Sequence, residues 1–244
     1  MKSGDLIRIQ QRGQTVLEQS YVLRNCDSIS FVVIGDAELR RYFDWALDIT
    51  HYAKSCQRVG RCMRLAIISE KQWVGGVVLG STFPNVGVRD EALGLKDLVR
   101  GFAARGLRNA WCKENREYWQ ALQTIVNHAR TFVFPQFQGR GLGKEAHRRL
   151  LTAGVHIWEK KYGQRIYAFD TLCDRSDSGL FISNGWDLVG ETKGYTANYK
   201  DAFSGEGKNT SINNAALKLG KTRWQVWIKI IRPSLKPRKP RLSN

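Results

Sequence analysis

One stretch of the chain, residues 131–146, constrains the fold more than any other. Residues 131–137 are aromatic and β-branched, which is typical of a buried strand. Glycines follow at positions 139, 141 and 143, and apolar residues then recur at helical spacing from Ala146 to Ile157. A glycine turn between a strand and a helix presents backbone N–H groups and a helix N-terminus, and both bind phosphate. The sequence therefore predicts an α/β protein with an anion-binding turn at residues 138–143, hereafter the glycine turn.

The glycine turn can be compared with three nucleotide-binding sequence motifs. A Walker loop fails, because Gln138 stands where its first glycine is required and Glu145 replaces its Ser or Thr. Residues 141–146 satisfy the dinucleotide fingerprint G-x-G-x-x-A, but that fingerprint usually opens a fold, and about half of this chain precedes it. The third pattern, Gln138-Gly-Arg-Gly-Leu-Gly143, resembles the Q/R-x-x-G-x-G/A signature of GCN5-related N-acetyltransferases. A glycine-rich turn without a ligand is the remaining alternative.

A second segment resembles the same superfamily. Leu180–Trp186 is similar to the L-Y-x-x-x-G-F segment that closes the acetyltransferase core, and it follows the glycine turn at a suitable distance. The resemblance implies a mixed central sheet flanked by helices and acetyl-coenzyme A or a related donor as cofactor. It also implies a set of cofactor-binding residues in the strand, the turn and the helix start: Val133, Phe134, Gln138, Gly139, Arg140, Gly141, Leu142, Gly143 and Lys144.

One position departs from that superfamily pattern. Many members have a tyrosine that protonates the departing thiolate, and the corresponding residue here is Phe181, which has no proton to donate. Ser183, Tyr167 or Tyr195 are candidate replacements, and chemistry other than ordinary acetyl transfer is the other alternative.

Hydrophobic periodicity predicts the elements around the glycine turn. We expect strands at residues 6–9 and 29–34, a helix at 37–49 capped by Asp36, and consecutive strands at 64–68 and 73–79. Gly75 and Gly76 indicate a bulge or a close backbone approach in the last of these. Further along, we expect helices at 97–105 and 118–128, and a βαβ unit of strand 131–137, helix 144–160 and strand 165–170 with parallel strands. We therefore expect one domain at residues 1–231 and a tail at 232–244. The core of the domain lies at 64–80 and 125–231, and a lid-like, arginine-rich insertion lies at 81–118.

Two polar sites are candidates for chemistry. The predicted βαβ unit places Asp170 on the sheet edge that carries the glycine turn, where it either orients and deprotonates an attacking amine or caps the turn that follows. Asp48, His51 and Tyr52 follow the apolar face of helix 37–49 and offer acid–base groups or metal ligands. A His at a helix end also commonly interacts with the terminal carbonyls.

The charge distribution indicates a polyanionic partner. The formal net charge is +17, and ten Lys or Arg residues follow Glu206, the last acidic residue. Prolines alternate with cations in residues 232–241, so this run cannot form a helix and suits an extended phosphate backbone. A solubility tail or anionic lipid are the alternatives. The predicted DNA-binding residues lie in the insertion and the tail: Arg105, Arg108, Lys236, Arg238, Lys239 and Arg241.

With both motifs and this charge, the whole chain resembles the Mom family of DNA-modification proteins from Mu-like bacteriophages. The resemblance extends from the basic N-terminal strands through Gly190–Gly194 to the tail. It implies conversion of adenine in double-stranded DNA to its N6-carbamoylmethyl derivative, which protects phage DNA from restriction in the host cytoplasm. Ordinary acyl transfer does not form that carbon–nitrogen bond. We therefore expect either a different donor or a redox-active metal such as iron, with His51 and Asp48 as candidate ligands.

Composition bounds the remaining alternatives. No apolar run approaches the roughly 20 residues of a membrane span, and the five scattered cysteines predict neither a disulfide framework nor structural zinc. The sequence leaves a homodimer open. Two rival functions remain: a conventional acetyltransferase acting on a protein, tRNA or small amine, and a DNA-binding protein without enzymatic activity.

Overall fold

The protein folds around a seven-stranded mixed sheet. The computed structural model describes residues 29–51, 60–70, 72–98, 116–173, 178–192 and 223–235. The strand order is β1-β2-β3-β4-β5-β7-β6. The strands are β1 (Ser30–Val33), β2 (Cys62–Ser69), β3 (Gln72–Ser81), β4 (Ile125–Val133), β5 (Ala168–Cys173), β6 (Asp187–Glu191) and β7 (Gln225–Ile230). The helices are α1 (Ala37–Thr50), α2 (Gly87–Ala92), α3 (Arg116–Gln123), α4 (Leu142–Arg149), α5 (Val155–Tyr162) and α6 (Ser178–Ile182), and a π-helical turn, Leu150–Gly154, joins α4 to α5.

The direction of the strands confirms the predicted fold class. Strands β4 and β5 are parallel, as the βαβ unit predicts, and every other neighbouring pair is antiparallel. One apolar core lies under α4 and α5, and two others lie on the opposite face of the sheet. The protein is thus an α/β structure with a mixed central sheet flanked by helices.

The first helix, α1, is determined by its N-terminal cap and by the spacing of its apolar residues. Asp36 caps α1 by accepting hydrogen bonds from the backbone N–H groups of Glu38 and Leu39 at 2.8 and 2.9 Å, as its position predicts. The predicted apolar face, formed by Leu39, Phe43, Ala46 and Leu47, is buried against the sheet.

Glycines let this helix approach the strands closely. A Cβ on Gly75 would lie 2.2 Å from the carbonyl oxygen of Phe132, and one on Gly76 would lie 2.4 Å from the Phe43 ring. The predicted close approach at these glycines is confirmed, because any larger residue would separate the strands or displace the helix.

Three predicted boundaries are wrong, and all three affect the site. The strand predicted at 131–137 ends at Val133, and Pro135–Phe137 form a 3₁₀ turn. The predicted helix 118–128 ends at Gln123, because the backbone N–H and the hydroxyl of Thr124 both bond to the carbonyl of Ala121, at 3.0 and 2.7 Å. Strand β4 therefore begins at Ile125 and includes His128. The strand predicted at 165–170 lies at 168–173 instead, so Asp170 stands within β5 and not at its end.

Part of the insertion is described. It contains α2 and a 3₁₀ turn at Lys96–Leu98, whereas most of the predicted helix 97–105 lies outside the described residues, as do the N-terminal strand at 6–9 and the tail from 236 onward. Arg89, one of the arginines of this insertion, is fully buried. Among the described residues, no helix is long and apolar enough to cross a membrane.

Candidate active site in the fork between two parallel strands

The candidate site lies where β4 and β5 separate. These strands pair at only three positions, of which Asn127–Asp170 is the last, although β4 continues to Val133 and β5 to Cys173. A cavity of about 200 Å³ occupies this fork. It is lined from the two strands and from three helices by Thr50, His51, His128, Ala129, Arg130, Thr131, Phe132, Val133, Gln138, His147, Thr171, Leu172, Cys173, Leu180 and Phe181.

A β-bulge determines which side chains face the fork. The register of β4 against β3 shifts between Val78 and Leu79, so Ala129 is an extra residue between His128 and Arg130. Val126 packs in the core under α4. Val133, downstream of the bulge, also faces that helix, because a Cβ added to Gly143 would lie 3.9 Å from the Val133 side chain. Strict alternation would place these two valines on opposite faces. Because of the bulge, His128 and Thr131 lie on the same face as well.

Two histidines converge on the hydroxyl of Thr131. The Nε2 atoms of His128 and His147 lie 2.7 and 3.2 Å from its Oγ1 atom, and the rings form an edge-to-face pair with centroids 4.4 Å apart. We call these three residues the imidazole cluster. His147 comes from α4 and is 1% exposed, whereas Thr131 is half-buried at the cavity wall.

Burial keeps His147 neutral. It lowers the pKa of this imidazole to about 3, because the charged form would lose its hydration. Its Nδ1 atom is buried without a hydrogen-bond partner among the described residues. A neutral imidazole can donate one hydrogen bond and accept another, so the cluster can pass a proton through Thr131.

Phe181 closes this side of the cavity. It is the residue that stands in place of the superfamily tyrosine, and its ring contacts His128 and His147 with centroids 5.9 and 5.3 Å away. The position from which the superfamily resemblance expects a proton donor therefore packs directly against the imidazole cluster.

His51 lines the cavity from the end of α1, on the opposite face of the sheet. Its backbone N–H closes the helix on the carbonyl of Leu47 at 2.9 Å, and burial together with the positive charge of Arg130 lowers its pKa to about 4. Asp48 is exposed and does not line the cavity, and Tyr52 lies outside the described residues. The described part of the chain holds no group of three or more His, Cys, Asp or Glu residues that could bind a metal. The two-residue metal site stays a prediction.

The glycine turn opens beside the fork. Gly139 and Gly141 have φ angles of 76° and 73°, which strongly favour glycine, and a Cβ on either would meet no atom within 4 Å. Gly141 caps α4, and the first backbone bond of that helix runs from Glu145 to Gly141, so the N–H groups of residues 142–144 have no partner within the helix. The Gln138 side chain donates to the carbonyl of Val133 at 2.9 Å and lines the cavity. The turn therefore borders the fork through Gln138.

The structure places the predicted cofactor-binding residues in three settings. Residues 139–144 form the glycine turn and the start of α4, and Val133 and Gln138 line the cavity. The Phe134 side chain points to the other face of the sheet, where it packs against Trp73 and Phe132. No contact in the structure tests whether any of them binds a cofactor.

Of the predicted catalytic residues that the structure describes, only His51 lines the cavity. Tyr167 is buried against α3 on the opposite face, and Ser183 is exposed with its hydroxyl donating to the carbonyl of Leu180 at 3.1 Å. Neither lines the cavity, and nor does Asp170. The six predicted DNA-binding residues lie outside the described ranges. All these roles stay predictions.

Asp170 belongs to a second buried polar group, hereafter the charged cluster. Its carboxylate accepts from Arg89 at 2.9 Å, from Asn127 at 2.8 Å and from the hydroxyl of Thr82. Arg89 also pairs with Asp90 at 2.6 Å, and the Tyr118 hydroxyl donates to the other oxygen of Asp90 at 2.9 Å. These contacts favour a structural role for Asp170, because it is fully buried and engaged on both oxygens.

Sequence reasoning missed the imidazole cluster. His128 was expected before the strand began, and Thr131 was counted among the β-branched residues of the strand core. The available signal was polar residues in two apolar patterns: His128 and Thr131 in a buried strand, and His147 three residues before Leu150 on the buried side of α4. The bulge that unites them has no comparable signal in the sequence.

Comparison with known proteins adds a likeness of fold only. No protein-family model and no curated protein sequence matches the chain. Among solved structures, an acetyltransferase of Bacillus subtilis in complex with coenzyme A has a TM-score of 0.46 at 10% identity and covers 84% of this chain and 100% of its own. The aminoglycoside acetyltransferase AAC(6')-Ib in complex with coenzyme A has a TM-score of 0.44 at 11% identity, and the match covers 83% of this chain and 95% of its own. An IAA acetyltransferase from Bacillus cereus has a TM-score of 0.42 at 12% identity, and the match covers 83% of this chain and 99% of its own. The sheet order and the single parallel pair described above are what establish the fold.

Proposed function

We propose that this protein transfers an acyl group from a coenzyme A thioester bound along the glycine turn and the fork. The observation that carries this proposal is that the two features adjoin at Gln138. An anion-binding helix start with left-handed glycines stands at the mouth of a cavity that runs between two separating parallel strands. A diphosphate at the turn and a thioester in the cavity would satisfy both parts of the site.

The chemistry of the turn suits a diphosphate. Backbone N–H groups at the first turn of α4 have no acceptor within the helix, and the partial positive charge of the helix N-terminus adds to their attraction. Open space around Gly139 and Gly141 lets a ligand approach the backbone directly. A side chain at either glycine would occupy that space and strain the turn.

Calorimetric titration with coenzyme A tests the proposal. Gly141→Val should weaken binding at least tenfold, which is about 1.4 kcal/mol, because it strains the turn and obstructs the backbone. Gly163→Val is the matched control, because Gly163 has a φ angle of 66° at the far end of α5, where a Cβ also meets nothing within 4 Å. Equal loss in both variants, or no binding by the wild-type protein, would contradict the proposal.

As a second candidate function, we propose carbamoylmethylation of adenine in double-stranded DNA, which forms a carbon–nitrogen bond and is not a transfer of the acyl group itself. The net charge of +17 supports a polyanionic partner, and Phe181 supports chemistry other than ordinary acetyl transfer. Adenine's amine is stacked and paired in a duplex, so such an enzyme would flip the base outward. The donor is then a relative of acetyl-coenzyme A or is used together with a metal such as iron.

Mass spectrometry of nucleosides from bacterial cells that express the protein tests this acceptor. An adenine heavier by one carbamoylmethyl group is the expected result. Unmodified DNA together with acetylated lysine, tRNA or polyamine would support a conventional N-acetyltransferase instead. A DNA-binding protein without catalysis would keep its biological effect in the Gly141→Val variant.

A further inference from the structure

The proton count of the imidazole cluster assigns a direction to its hydrogen bonds. The Thr131 hydroxyl has one proton and can donate to one imidazole only, so the other imidazole must donate its own Nε2–H to Oγ1. The 2.7 Å contact with His128 is the length expected for an O–H donor, and the 3.2 Å contact with His147 suits an N–H donor. We assign Thr131 as donor to His128 and His147 as donor to Thr131.

This direction gives the Thr131 oxygen the environment of a nucleophile. A base within hydrogen-bond reach accepts its proton, and an N–H group on the other side holds the oxygen in place and stabilises negative charge on it. Thr131 is the accessible member of the cluster, because it is half-buried at the cavity wall, whereas His128 and His147 are 3% and 1% exposed behind it.

We propose that Thr131 accepts the acyl group covalently before the acceptor receives it, an inference that rests on the proposed coenzyme site. Oγ1 attacks the thioester carbonyl carbon while its proton moves to Nε2 of His128. The tetrahedral intermediate collapses with cleavage of the C–S bond. The proton on His128 moves to the departing sulfur, so that a free thiol leaves and an ester remains on Thr131.

The second half of the reaction returns the protein to its starting state. The acceptor's nucleophile attacks the ester carbonyl carbon, and its proton passes to Nε2 of His128. The C–O bond to Thr131 breaks, and the same proton restores the hydroxyl. No oxidant, reductant or additional proton donor enters either half.

This route accounts for Phe181. The proton that the sulfur needs comes from the Thr131 hydroxyl through His128, so no tyrosine is required at the end of α6. The rings of both histidines pack against Phe181 at the position where such a tyrosine would stand. An apolar ring there also keeps water from the ester, which would otherwise be hydrolysed.

Acylation in the absence of any acceptor is the test. The full chain is mixed with acetyl-coenzyme A, quenched in acid within one turnover, and mapped by peptide mass spectrometry, while thiol release is followed in parallel. We expect one acetyl group on the peptide containing Thr131 and one equivalent of thiol. Thr131→Ser should retain both, and Thr131→Val and His128→Asn should lower the rate of thiol release at least about 100-fold. Thr152→Val, on the exposed π-helical turn, is the matched control and should behave as wild type.

Binding measurements separate this inference from the function on which it rests. Coenzyme A affinity is measured for each variant, and Thr131→Val should bind within about threefold of wild type. If coenzyme A binds but the Thr131 peptide never carries an acyl group, or if Thr131→Val releases thiol at the wild-type rate, the inference is overturned while the proposed function stands. If coenzyme A does not bind, both are overturned.

Discussion

Two polar clusters lie on opposite faces of the sheet at β4, and they differ in which hydrogen-bonding groups they leave without a partner. The charged cluster holds Arg89 between two carboxylates, and both oxygens of Asp170 and of Asp90 accept hydrogen bonds. The imidazole cluster contains no carboxylate, lysine or arginine and keeps the Nδ1 atom of His147 without a partner among the described residues. The first is closed off from the cavity and the second opens onto it. A fully satisfied buried network holds a fold in place, whereas an incompletely satisfied one beside a cavity is available to a ligand.

The charged cluster also holds the apex of the fork. Asn127 and Asp170 are the last paired residues of β4 and β5, and the Asn127 side chain joins them by donating to the Asp170 carboxylate. Arg89 links this pair to α2 in the insertion. The charged cluster on one face therefore joins the two strands at the point where the fork begins.

The largest expected difference between the clusters is in folding stability. Arg89→Met leaves two buried carboxylates without their cation, so we expect the free energy of unfolding to fall by about 3–5 kcal/mol in urea titration. Arg149→Met removes a surface pair with Glu145 on α4 and should cost at most about 1 kcal/mol. A loss of less than about 1 kcal/mol for Arg89→Met would show that the charged cluster does not stabilise the fold.

The pH dependence of stability should come from the imidazole cluster. The pKa of His147 falls from its ordinary value of 6.5 to about 3 in the folded protein, so the unfolded chain binds one more proton between these values. Stability from this group is therefore complete above pH 6.5 and is lost as the pH falls toward 3. The slope contributed by one proton is about 1.4 kcal/mol per pH unit.

Unfolding of the wild type and of His147→Gln between pH 7 and 4 measures that slope. Both proteins retain the contribution of His51, whose pKa is also lowered, so the difference between them isolates His147. Parallel pH profiles would mean that His147 takes up its proton at the same pH in the folded and unfolded states, which would contradict a pKa lowered by burial.

The smallest expected effect is the coupling between the clusters. Thr82 bonds to Asp170 and Arg89, Thr131 bonds to His128 and His147, and the two threonines share no partner. We expect the effects of Thr82→Val and Thr131→Val on the free energy of unfolding to add within about 0.5 kcal/mol. A double-mutant cycle that departs from additivity by more than about 1 kcal/mol would show that the clusters act as one unit.

The sequence predicts the frame of this protein well and the details of its site poorly. Helix α1 and its cap, the β2–β3 pair and the parallel β4–β5 pair follow from periodicity, capping and crossover rules, which act over a few residues. Arg89 could not be placed, because its burial depends on two aspartates, one of them 81 residues away along the chain. The meeting of His128 with His147 likewise depends on long-range packing of α4 on β4.

The bulge at Ala129 has a consequence for how this site can change. Deleting that single residue would remove the bulge but leave Arg130 opposite Val78 and Thr131 opposite Val77, so that Thr131 would still face the fork. Deleting a residue from the regularly paired part of the strand would instead exchange the two faces beyond the deletion. A one-codon deletion at Ala129 should therefore be the shortening of β4 that best preserves the wall of the cavity.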